Sequence, residues 1–337
     1  MQAPFISLVL PVRNEEKYIR ACAESLFLQD YPEERMEVLF VDGCSTDGTV
    51  GILREIQRVH PLLRVLNNPN RTVPYAMNIG IRESRGEFIV RMDAHAEYAP
   101  DYVSRCIRAL QTVECDNAGG VCVTKGRSYM GRAIAGALST PFGVGNSMFR
   151  LDVRSGYVDT VPFGAFRREL FDRIGLYDER LTRNQDNELN YRIRKNGGKI
   201  YLDREIRCTY YCRDTLRGIM KMGFQNGMWN VITMFLCPGS MGLRHFVPLL
   251  FVLSTIGLAL LSLAFGPQVF GVLLLLEWFA YLSLDAFYSY TVAQSLGLRY
   301  LPVLPVIFPA FHIAYGLGSL RGFFALRRFA GGKRGKA

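Results

Sequence analysis

In the amino-terminal third of the chain, short apolar runs alternate with segments in which apolar residues recur every three or four positions. The runs predict buried strands, at residues 5–12, 36–41, 62–66 and 87–92. The recurring spacing predicts helices, from Tyr18 to Leu26 and over residues 74–82. Strands that alternate with helices are typical of an α/β domain with a right-handed, mostly parallel sheet.

Further along, the pattern becomes less regular. Residues 119–123 predict another strand, and residues 185–195 predict a helix that ends before Gly197. Two loops rich in glycine and proline, at 141–145 and 161–164, are candidates to line a site.

From position 246 onward the chain is much more apolar. Residues 246–265 carry no charge, and residues 269–290 carry only Glu277 and Asp285. Each run has about the length that a helix needs to cross a bilayer. A third apolar segment, residues 300–317, is interrupted by three prolines.

The pattern divides the chain into four parts. We predict a cytoplasmic α/β domain over 1–212, an interfacial amphipathic segment over 213–245, a membrane region with two or three apolar helices over 246–325, and a basic tail over 326–337. No basic and apolar leader precedes the first strand, so the first domain is expected on the cytoplasmic side. Three crossings would place the basic tail outside, against the positive-inside rule. We therefore prefer two crossings, with the third segment re-entrant or interfacial.

The net charge of +10 bears on the choice of partner. Basic residues flank the apolar runs, from Arg213 to Arg244 before the first and from Arg321 to Lys336 after the last. This placement favours a membrane with anionic lipid over nucleic acid, whose readers carry basic residues and interleaved aromatics on the folded domain. We expect a membrane partner and no nucleic acid.

Some common sites are not indicated. The eight cysteines lack Cys-x-x-Cys spacing, which argues against zinc and favours reduced, mostly buried thiols. No Gly-x-Gly-x-x-Gly follows the first strand and no Walker-type Gly-Lys-Ser/Thr occurs, so dinucleotide and P-loop sites are poorly supported.

Polar residues follow three of the predicted strands instead. Asn14 and Glu15 follow the first strand, Asp42 the second, and Asp93 and His95 the fourth. The carboxyl ends of parallel strands meet at one edge of the sheet, where open α/β folds bind nucleotides. A carboxylate there can accept the N–H of a base, and a divalent metal can neutralise a departing diphosphate. The imidazole shifts the choice between Mg²⁺ and Mn²⁺ towards Mn²⁺.

Several motifs, in order along the chain, resemble the family 2 glycosyltransferases of the GT-A fold. They are Leu10-Pro11-Val12-Arg13-Asn14-Glu15-Glu16, Val41-Asp42-Gly43-Cys44-Ser45-Thr46-Asp47-Gly48-Thr49, Asn78-Ile79-Gly80, Asp93-Ala94-His95, Gly175-Leu176-Tyr177-Asp178-Glu179 and Asn184-Gln185-Asp186-Asn187-Glu188-Leu189. The Asp-Ala-His variant, residues 161–168 and the apolar carboxyl-terminal part are most similar to the succinoglycan-type exopolysaccharide glucosyltransferases.

The resemblance implies a role for each matching residue. Residues that would bind the nucleotide sugar are Pro11, Asn14, Glu15, Asp42 and Asp93. Asp93 and His95 would hold the metal, Mn²⁺ or Mg²⁺.

On the acceptor side, Asp186 would be the catalytic base that deprotonates the attacking hydroxyl. Gln225 and Trp229 fall where the family carries its acceptor-binding Gln-x-x-Arg-Trp element.

Three departures from the family pattern qualify these roles. Gly43 replaces a second Asp, which leaves the base contact to Asp42. Gln185 replaces a Glu before Asp186, and Met228 replaces the Arg of the Gln-x-x-Arg-Trp element, which weakens the case for a processive synthase.

The implied protein is an inverting, metal-dependent hexosyltransferase of the inner (plasma) membrane, acting in exopolysaccharide or cell-surface polysaccharide biosynthesis. It would move a sugar from a UDP-sugar, UDP-glucose first, to a lipid-linked saccharide, and other polysaccharide-assembly proteins are candidate partners. Two alternatives stay open: a processive polysaccharide synthase and a non-catalytic scaffold that binds sugar nucleotides. The synthase would need a membrane channel, and retention of both Asp93 and Asp186 argues against the scaffold.

Individual residues also have structural alternatives. Asp42 could cap the turn and helix that follow it, and Asp186 could lie at a helix start for dipole reasons alone. Trp229 could equally be an interfacial anchor.

Overall fold

The computed structural model describes residues 2–151 and 154–331, with side chains up to residue 327. The chain forms two compact units. The first comprises Met1–Val123 and Met148–Tyr211, and the second comprises Thr124–Ser147 and Cys212–Ala337, each as far as it is described. The predicted basic tail lies outside the described residues from position 332 onward.

The amino-terminal half of the first unit alternates strands and helices as the apolar pattern predicts. Its elements are β1 (Ile6–Val12), α1 (Ile19–Phe27), β2 (Met36–Asp42), α2 (Thr49–Val59), β3 (Leu63–Asn67), α3 (Val73–Glu83) and β4 (Phe88–Arg91). The chain continues with β5 (Ala96–Tyr98), α4 (Tyr102–Thr112), β6 (Asn117–Lys125), α5 (Tyr129–Ala137), α6 (Pro141–Val144), β7 (Gly156–Tyr157), β8 (Ala165–Arg167), α7 (Arg168–Ile174), α8 (Gln185–Lys195) and β9 (Ile200–Tyr211).

The strands of the described chain form one nine-stranded sheet in the order β3-β2-β1-β4-β8-β6-β9-β5, with β7 paired to β9. β1 is parallel to β2 and to β4, and β2 is parallel to β3. β8 is antiparallel to both β4 and β6, and β5 and β7 are antiparallel to β9. The predicted α/β architecture is confirmed.

Two apolar clusters cover the two faces of the parallel strands. β1 and β2 are buried along their whole length, as parallel strands between helices are. Along β1, Leu8 belongs to one cluster and Val9 to the other. Gly80 lets α3 approach closely, because a Cβ there would lie 2.3 Å from Cγ1 of Val9.

The second unit is helical in its described part. It contains α5, α6, α9 (Leu216–Leu236), α10 (Val247–Phe265), α11 (Phe270–Leu296) and α12 (Leu304–Gly331). Two helical segments there are long and apolar enough to cross a bilayer, Leu243–Phe265 and Phe270–Leu296, and both are largely exposed. The third apolar segment lies in α12, which continues through Pro309.

Residues 124–147 lie in this helical unit, whereas the sequence pattern placed them in a domain over 1–212. α5 packs against α11, and a Cβ on Gly136 would lie 2.6 Å from Cγ1 of Val292. Phe142 of α6 lies in an aromatic cluster with Tyr288 and Phe308. The small and aromatic residues of this segment therefore pack on the carboxyl-terminal helices.

α9 and α12 pack backbone to backbone through glycines on both helices. A Cβ on Gly227 would lie 2.0 Å from the carbonyl oxygen of Tyr315, and one on Gly318 would lie 2.0 Å from that of Phe224. Asn230 of α9 also hydrogen-bonds the Tyr315 hydroxyl. Small residues allow such close helix contact in apolar surroundings.

Candidate active site

The three predicted polar strand ends lie at one edge of the sheet. Asp42 is the last residue of β2, and Asp93 follows β4 by two positions. Because β1 pairs in register with both of these strands, its own following loop, with Asn14 and Glu15, lies between them. Pro11 lies inside β1, buried and opposite Val41.

The loops after β1 and β2 are tied together by short hydrogen bonds. The side-chain oxygen of Asn14 accepts from the backbone N–H of Thr46 at 2.8 Å, and the backbone N–H of Asn14 donates to the Ser45 hydroxyl at 2.9 Å. The backbone N–H of Glu15 donates to Thr49 Oγ1 at 2.8 Å. The Asp42 carboxylate accepts from the hydroxyl and the backbone N–H of Ser45 at 2.6 and 3.1 Å. Asn14 and Asp42 thus shape this edge as well as being candidates to bind a nucleotide.

Asp93, His95 and Glu15 form a compact charged cluster. Nδ1 of His95 lies 2.7 Å from Oδ1 of Asp93 and 3.3 Å from Oε1 of Glu15. Burial alone would raise the pKa of Asp93, but the charge and hydrogen bond of His95, with Arg91, lower it overall. Burial alone would lower the pKa of His95, but Asp93, followed by Glu15, raises it well above its ordinary value.

Asp186 lies in the first turn of α8 beside a buried arginine. Its Oδ2 is 3.1 Å from Nη1 of Arg91, the last residue of β4. Burial raises the pKa of Asp186, the Arg91 charge lowers it and the Asp93 charge raises it, with a net increase. The carboxylate is therefore a stronger base than an exposed aspartate.

Backbone strain is concentrated in these loops. Of the five described residues other than glycine that have a positive φ angle, four lie there: Asn14 at 55°, Cys44 at 56°, Phe163 at 50° and Asn184 at 61°. Such conformations cost energy and persist where the surroundings fix them, often at functional sites.

Comparison with known proteins identifies the family. The model of "Glycosyl transferase family 2" matches residues 7–175. The chain belongs to glycosyl transferase family 2.

Curated relatives agree with this assignment. The chain is 32% identical to a dolichyl N-acetyl-α-D-glucosaminyl phosphate 3-β-D-2,3-diacetamido-2,3-dideoxy-β-D-glucuronosyltransferase of Methanococcus voltae, over 66% of this chain and 72% of the relative. It is 29% identical to the succinoglycan biosynthesis protein ExoA of Rhizobium meliloti, over 95% of this chain and 96% of the relative. The resemblance inferred from the motifs is confirmed.

A solved structure supports the fold. The mannosyltransferase PcManGT from Pyrobaculum calidifontis, in complex with GDP-Man and Mn²⁺, superposes with a TM-score of 0.59 at 20% identity, over 95% of this chain and 88% of that one. The first unit of this family 2 glycosyltransferase accordingly has the GT-A fold.

The acceptor-side candidates of the family 2 enzyme lie in the second unit. Gln225 and Trp229 are one turn apart on α9, and both are half-buried. Residues at this spacing share a helix face. Their role in acceptor binding stays a prediction.

Sequence reasoning missed two contributors to the site. Arg91 belongs to the apolar run before Asp93, and the signal was available: a charge in a buried strand needs a partner. Asn78 belongs to a family motif, but the sequence indicates no role for it. Its side chain bonds the backbone N–H and carbonyl of Tyr177, both at 2.9 Å, and so joins α3 to the loop that leads to α8.

The donor atoms at the sheet edge fit a divalent cation by their chemistry. The carboxylates of Asp93 and Glu15 lie 2.7 and 3.3 Å from Nδ1 of His95, and a set of carboxylates and an imidazole suits Mn²⁺ or Mg²⁺. Within residues 2–151 and 154–331, no group of three or more His, Cys, Asp and Glu side chains is arranged around a common metal position. Nδ1 of His95 is engaged by Asp93, so ligation through this atom would require loss of its proton.

Proposed function

We propose that this protein is an inverting glycosyltransferase, anchored in the membrane, in which Asp186 is the catalytic base. The observation that carries the proposal is the half-buried Asp186 carboxylate, 3.1 Å from the buried Arg91. Burial and the charge of Asp93, in the Asp93–His95–Glu15 cluster, raise its pKa overall. A general base and a site for a charged leaving group are the two elements that direct displacement at a sugar requires.

In the proposed reaction the acceptor oxygen forms a bond to the anomeric carbon of the donor. The bond from that carbon to the diphosphate breaks, and the hydroxyl proton passes to Asp186. Attack from the face opposite the leaving group inverts the configuration, so an α-linked donor gives a β-linked product.

A bound Mn²⁺ or Mg²⁺ would supply positive charge that stabilises the leaving diphosphate. Asp93 and His95 would hold it, and Glu15, at 3.3 Å from His95, would orient the imidazole. The Mn²⁺ in the mannosyltransferase from Pyrobaculum calidifontis supports this choice of cation. Pro11, Asn14 and Asp42 would then contact the nucleotide at the same edge.

The donor is proposed to be a UDP-sugar, with UDP-glucose the first to test, and the acceptor a lipid-linked saccharide. The relative from Methanococcus voltae is named for a dolichyl phosphate saccharide, and ExoA for succinoglycan biosynthesis, which supports a role in exopolysaccharide assembly. Gln225 and Trp229 are the proposed acceptor contacts.

The proposed location is the inner membrane, with the first unit in the cytoplasm. Two exposed apolar helices support anchoring in the membrane. The basic residues that flank them support the proposed orientation. Arg244 and Arg299 lie at the outer ends of the pair formed by α10 and α11, whereas the Gly266–Val269 connection between the helices has no charge.

The test uses membranes from cells that express the full chain. A panel of radiolabelled sugar nucleotides is supplied, and label in the organic-solvent extract is counted. One sugar nucleotide should label lipid, and Asp186→Asn should reduce this labelling by about 10²–10⁴-fold. Asp172→Asn, an exposed carboxylate on α7, should not change it.

Other outcomes would favour the alternatives. Unchanged labelling with Asp186→Asn would remove Asp186 as the base. Label in long water-soluble polymer would favour a processive synthase. Sugar-nucleotide binding without transfer to any acceptor would favour a scaffold.

A further inference from the structure

Arg91 is a charged side chain sealed inside the first unit. Only 5% of its side chain is exposed, and its guanidinium carbon lies 5.3 Å from the centre of the Phe163 ring. Its Nε and Nη1 have no hydrogen-bond partner among the described residues, so Nη1 meets Asp186 as an ion pair. A buried charge is costly unless a counter-charge compensates for it, and the ion pair of Arg91 is with Asp186.

The two partners differ in their access to solvent. Asp186 retains 27% exposure of its side chain, whereas Arg91 retains 5%. A molecule arriving from solvent therefore reaches the carboxylate before the guanidinium. This difference in exposure favours a role in which Arg91 supports Asp186 over one in which Arg91 contacts the substrate directly.

The charges around Asp186 explain why such a support matters. Burial and the charge of Asp93 both favour its protonated form, and Arg91 favours the carboxylate. The neutral phenol of Tyr177, on the loop before α8, is also close enough to interact electrostatically. Without Arg91, burial and the charge of Asp93 would both act against the ionised base.

The backbone around Arg91 is also fixed. Its N–H donates to the carbonyl of Gly164 at 2.9 Å. Phe163, whose ring lies against the guanidinium, has a positive φ of 50° and its carbonyl accepts the Tyr102 hydroxyl at 2.6 Å. The residues around the Arg91 guanidinium are thus held in place by hydrogen bonds.

We propose that Arg91 is a positioning residue for the catalytic base: it holds Asp186 ionised and oriented, and does not itself bind the nucleotide sugar. The inference rests on the proposed role of Asp186. It assigns a function to a residue of β4 that lies outside the motifs of the sequence.

Two substitutions separate charge from shape. Arg91→Met removes the charge and keeps much of the volume, and Arg91→Lys keeps the charge. The substrate is the radiolabelled sugar nucleotide that wild-type membranes consume fastest. Arg91→Met should reduce kcat at pH 7 by about 10–100-fold, with KM for the sugar nucleotide nearly unchanged.

The pH profile gives the decisive readout. With Arg91→Met, the acidic limb of kcat should move to higher pH, so that part of the loss is recovered at pH 9. Arg91→Lys should return the limb towards that of wild type, and Arg54→Met, on the surface of α2, should not move it. An equal loss at every pH, or a raised KM with normal kcat, would overturn the proposal.

Thermal unfolding of the detergent-solubilised full chain tests the ion pair without any activity. Asp186→Asn should lower Tm because it leaves Arg91 buried without a counter-charge, and adding Arg91→Met should raise Tm again. If the two substitutions instead lowered Tm by additive amounts, the pairing of Arg91 with Asp186 would be contradicted. Retained turnover in Asp186→Asn would instead overturn the base itself, and an inactive Asp186→Asn beside a normal Arg91→Met would overturn only the role of Arg91.

Discussion

The two units of the chain use charge in opposite ways. The first unit contains nearly equal numbers of acidic and basic residues. Two of its buried charges are paired, Glu37 with Arg64 and Arg85, and Arg91 with Asp186. The second unit contains only three acidic residues, Asp214, Glu277 and Asp285, among many basic ones. Its stability cannot rest on ion pairs of this kind.

Apolar surface shows the same contrast. In the first unit, apolar side chains fill two clusters on either side of the sheet. In the second, large apolar side chains such as Leu250, Leu260, Leu275 and Phe279 are exposed, and the closest contacts are between glycines and the backbone of a neighbouring helix. This contrast supports the proposal that the second unit lies in lipid, where close backbone contact replaces the hydrophobic effect.

Among the substitutions that test this contrast between the units, removing one charge from the cluster at the sheet edge should give the largest effect. Asp93→Asn is expected to lower turnover by about 10²–10³-fold, because the leaving diphosphate loses its main support. The loss should be partly reversed by raised Mn²⁺, and EDTA should abolish wild-type activity.

The control is Glu97→Gln, a nearby carboxylate on β5 that the ion pairs of the described chain do not include. Its turnover at any Mn²⁺ concentration should match that of wild type. Equal Mn²⁺ dependence of Asp93→Asn and wild type would show that the metal, if required, lies elsewhere.

A single methyl group should test the close helix packing that distinguishes the second unit. Gly227→Ala places a Cβ 2.0 Å from the carbonyl oxygen of Tyr315, and we expect a loss of about 3 kcal/mol in the second unit. Gly257→Ala on α10 is the matched control, since no atom of the described residues outside its own turns of α10 lies within 4 Å of its Cβ position. Thermal unfolding in detergent should show a lower Tm for Gly227→Ala alone, and similar Tm values would mean that α9 and α12 are less tightly packed.

A smaller effect is expected at a buried carboxylate of the first unit. Glu37 accepts hydrogen bonds from the Ser7 hydroxyl at 2.7 Å and the Arg85 backbone N–H at 2.6 Å. Glu37→Ala should lower the free energy of unfolding by about 2 kcal/mol. Glu55→Ala, which removes an exposed pair with Arg20, should cost less than about 0.5 kcal/mol.

The Glu37 effect should depend on pH. Burial would raise the pKa of Glu37, but its hydrogen bonds and Arg85 lower it overall. A carboxylate whose pKa is lower in the folded than in the unfolded state stabilises the fold at pH values above its unfolded pKa of about 4.3. This stabilisation is lost as the pH falls through the folded-state pKa. Denaturant titrations of Glu37→Ala and wild type should therefore converge in acid, and a constant difference would contradict this assignment.

The sequence predicted the part of the fold that depends on local pattern. β1 to β4 are apolar runs bounded by polar residues, and α8 was predicted over the observed Gln185–Lys195. The sequence also predicted that the polar residues after β1, β2 and β4 lie at one edge of the sheet, because the carboxyl ends of parallel strands meet there.

Features that depend on distant contacts could not be read in this way. The alanines and glycines of α5 suit a helix in any core, so the pattern gave no sign that this helix packs on α11 and α12. The pairing of Arg91 with Asp186 joins residues far apart in the chain, and the sequence shows only that a buried arginine needs some partner.

The grouping of residues 124–147 with the carboxyl-terminal helices has a practical consequence for protein production. Cutting the chain after residue 212 would remove the helices that cover Gly136 and Phe142. The apolar side chains of α5 and α6 would then be exposed to water and would favour aggregation. A soluble catalytic fragment would need a second edit, in which a short polar linker replaces residues 124–147. The part of the chain suited to crystallisation or inhibitor screening therefore consists of two segments that are not adjacent in the sequence.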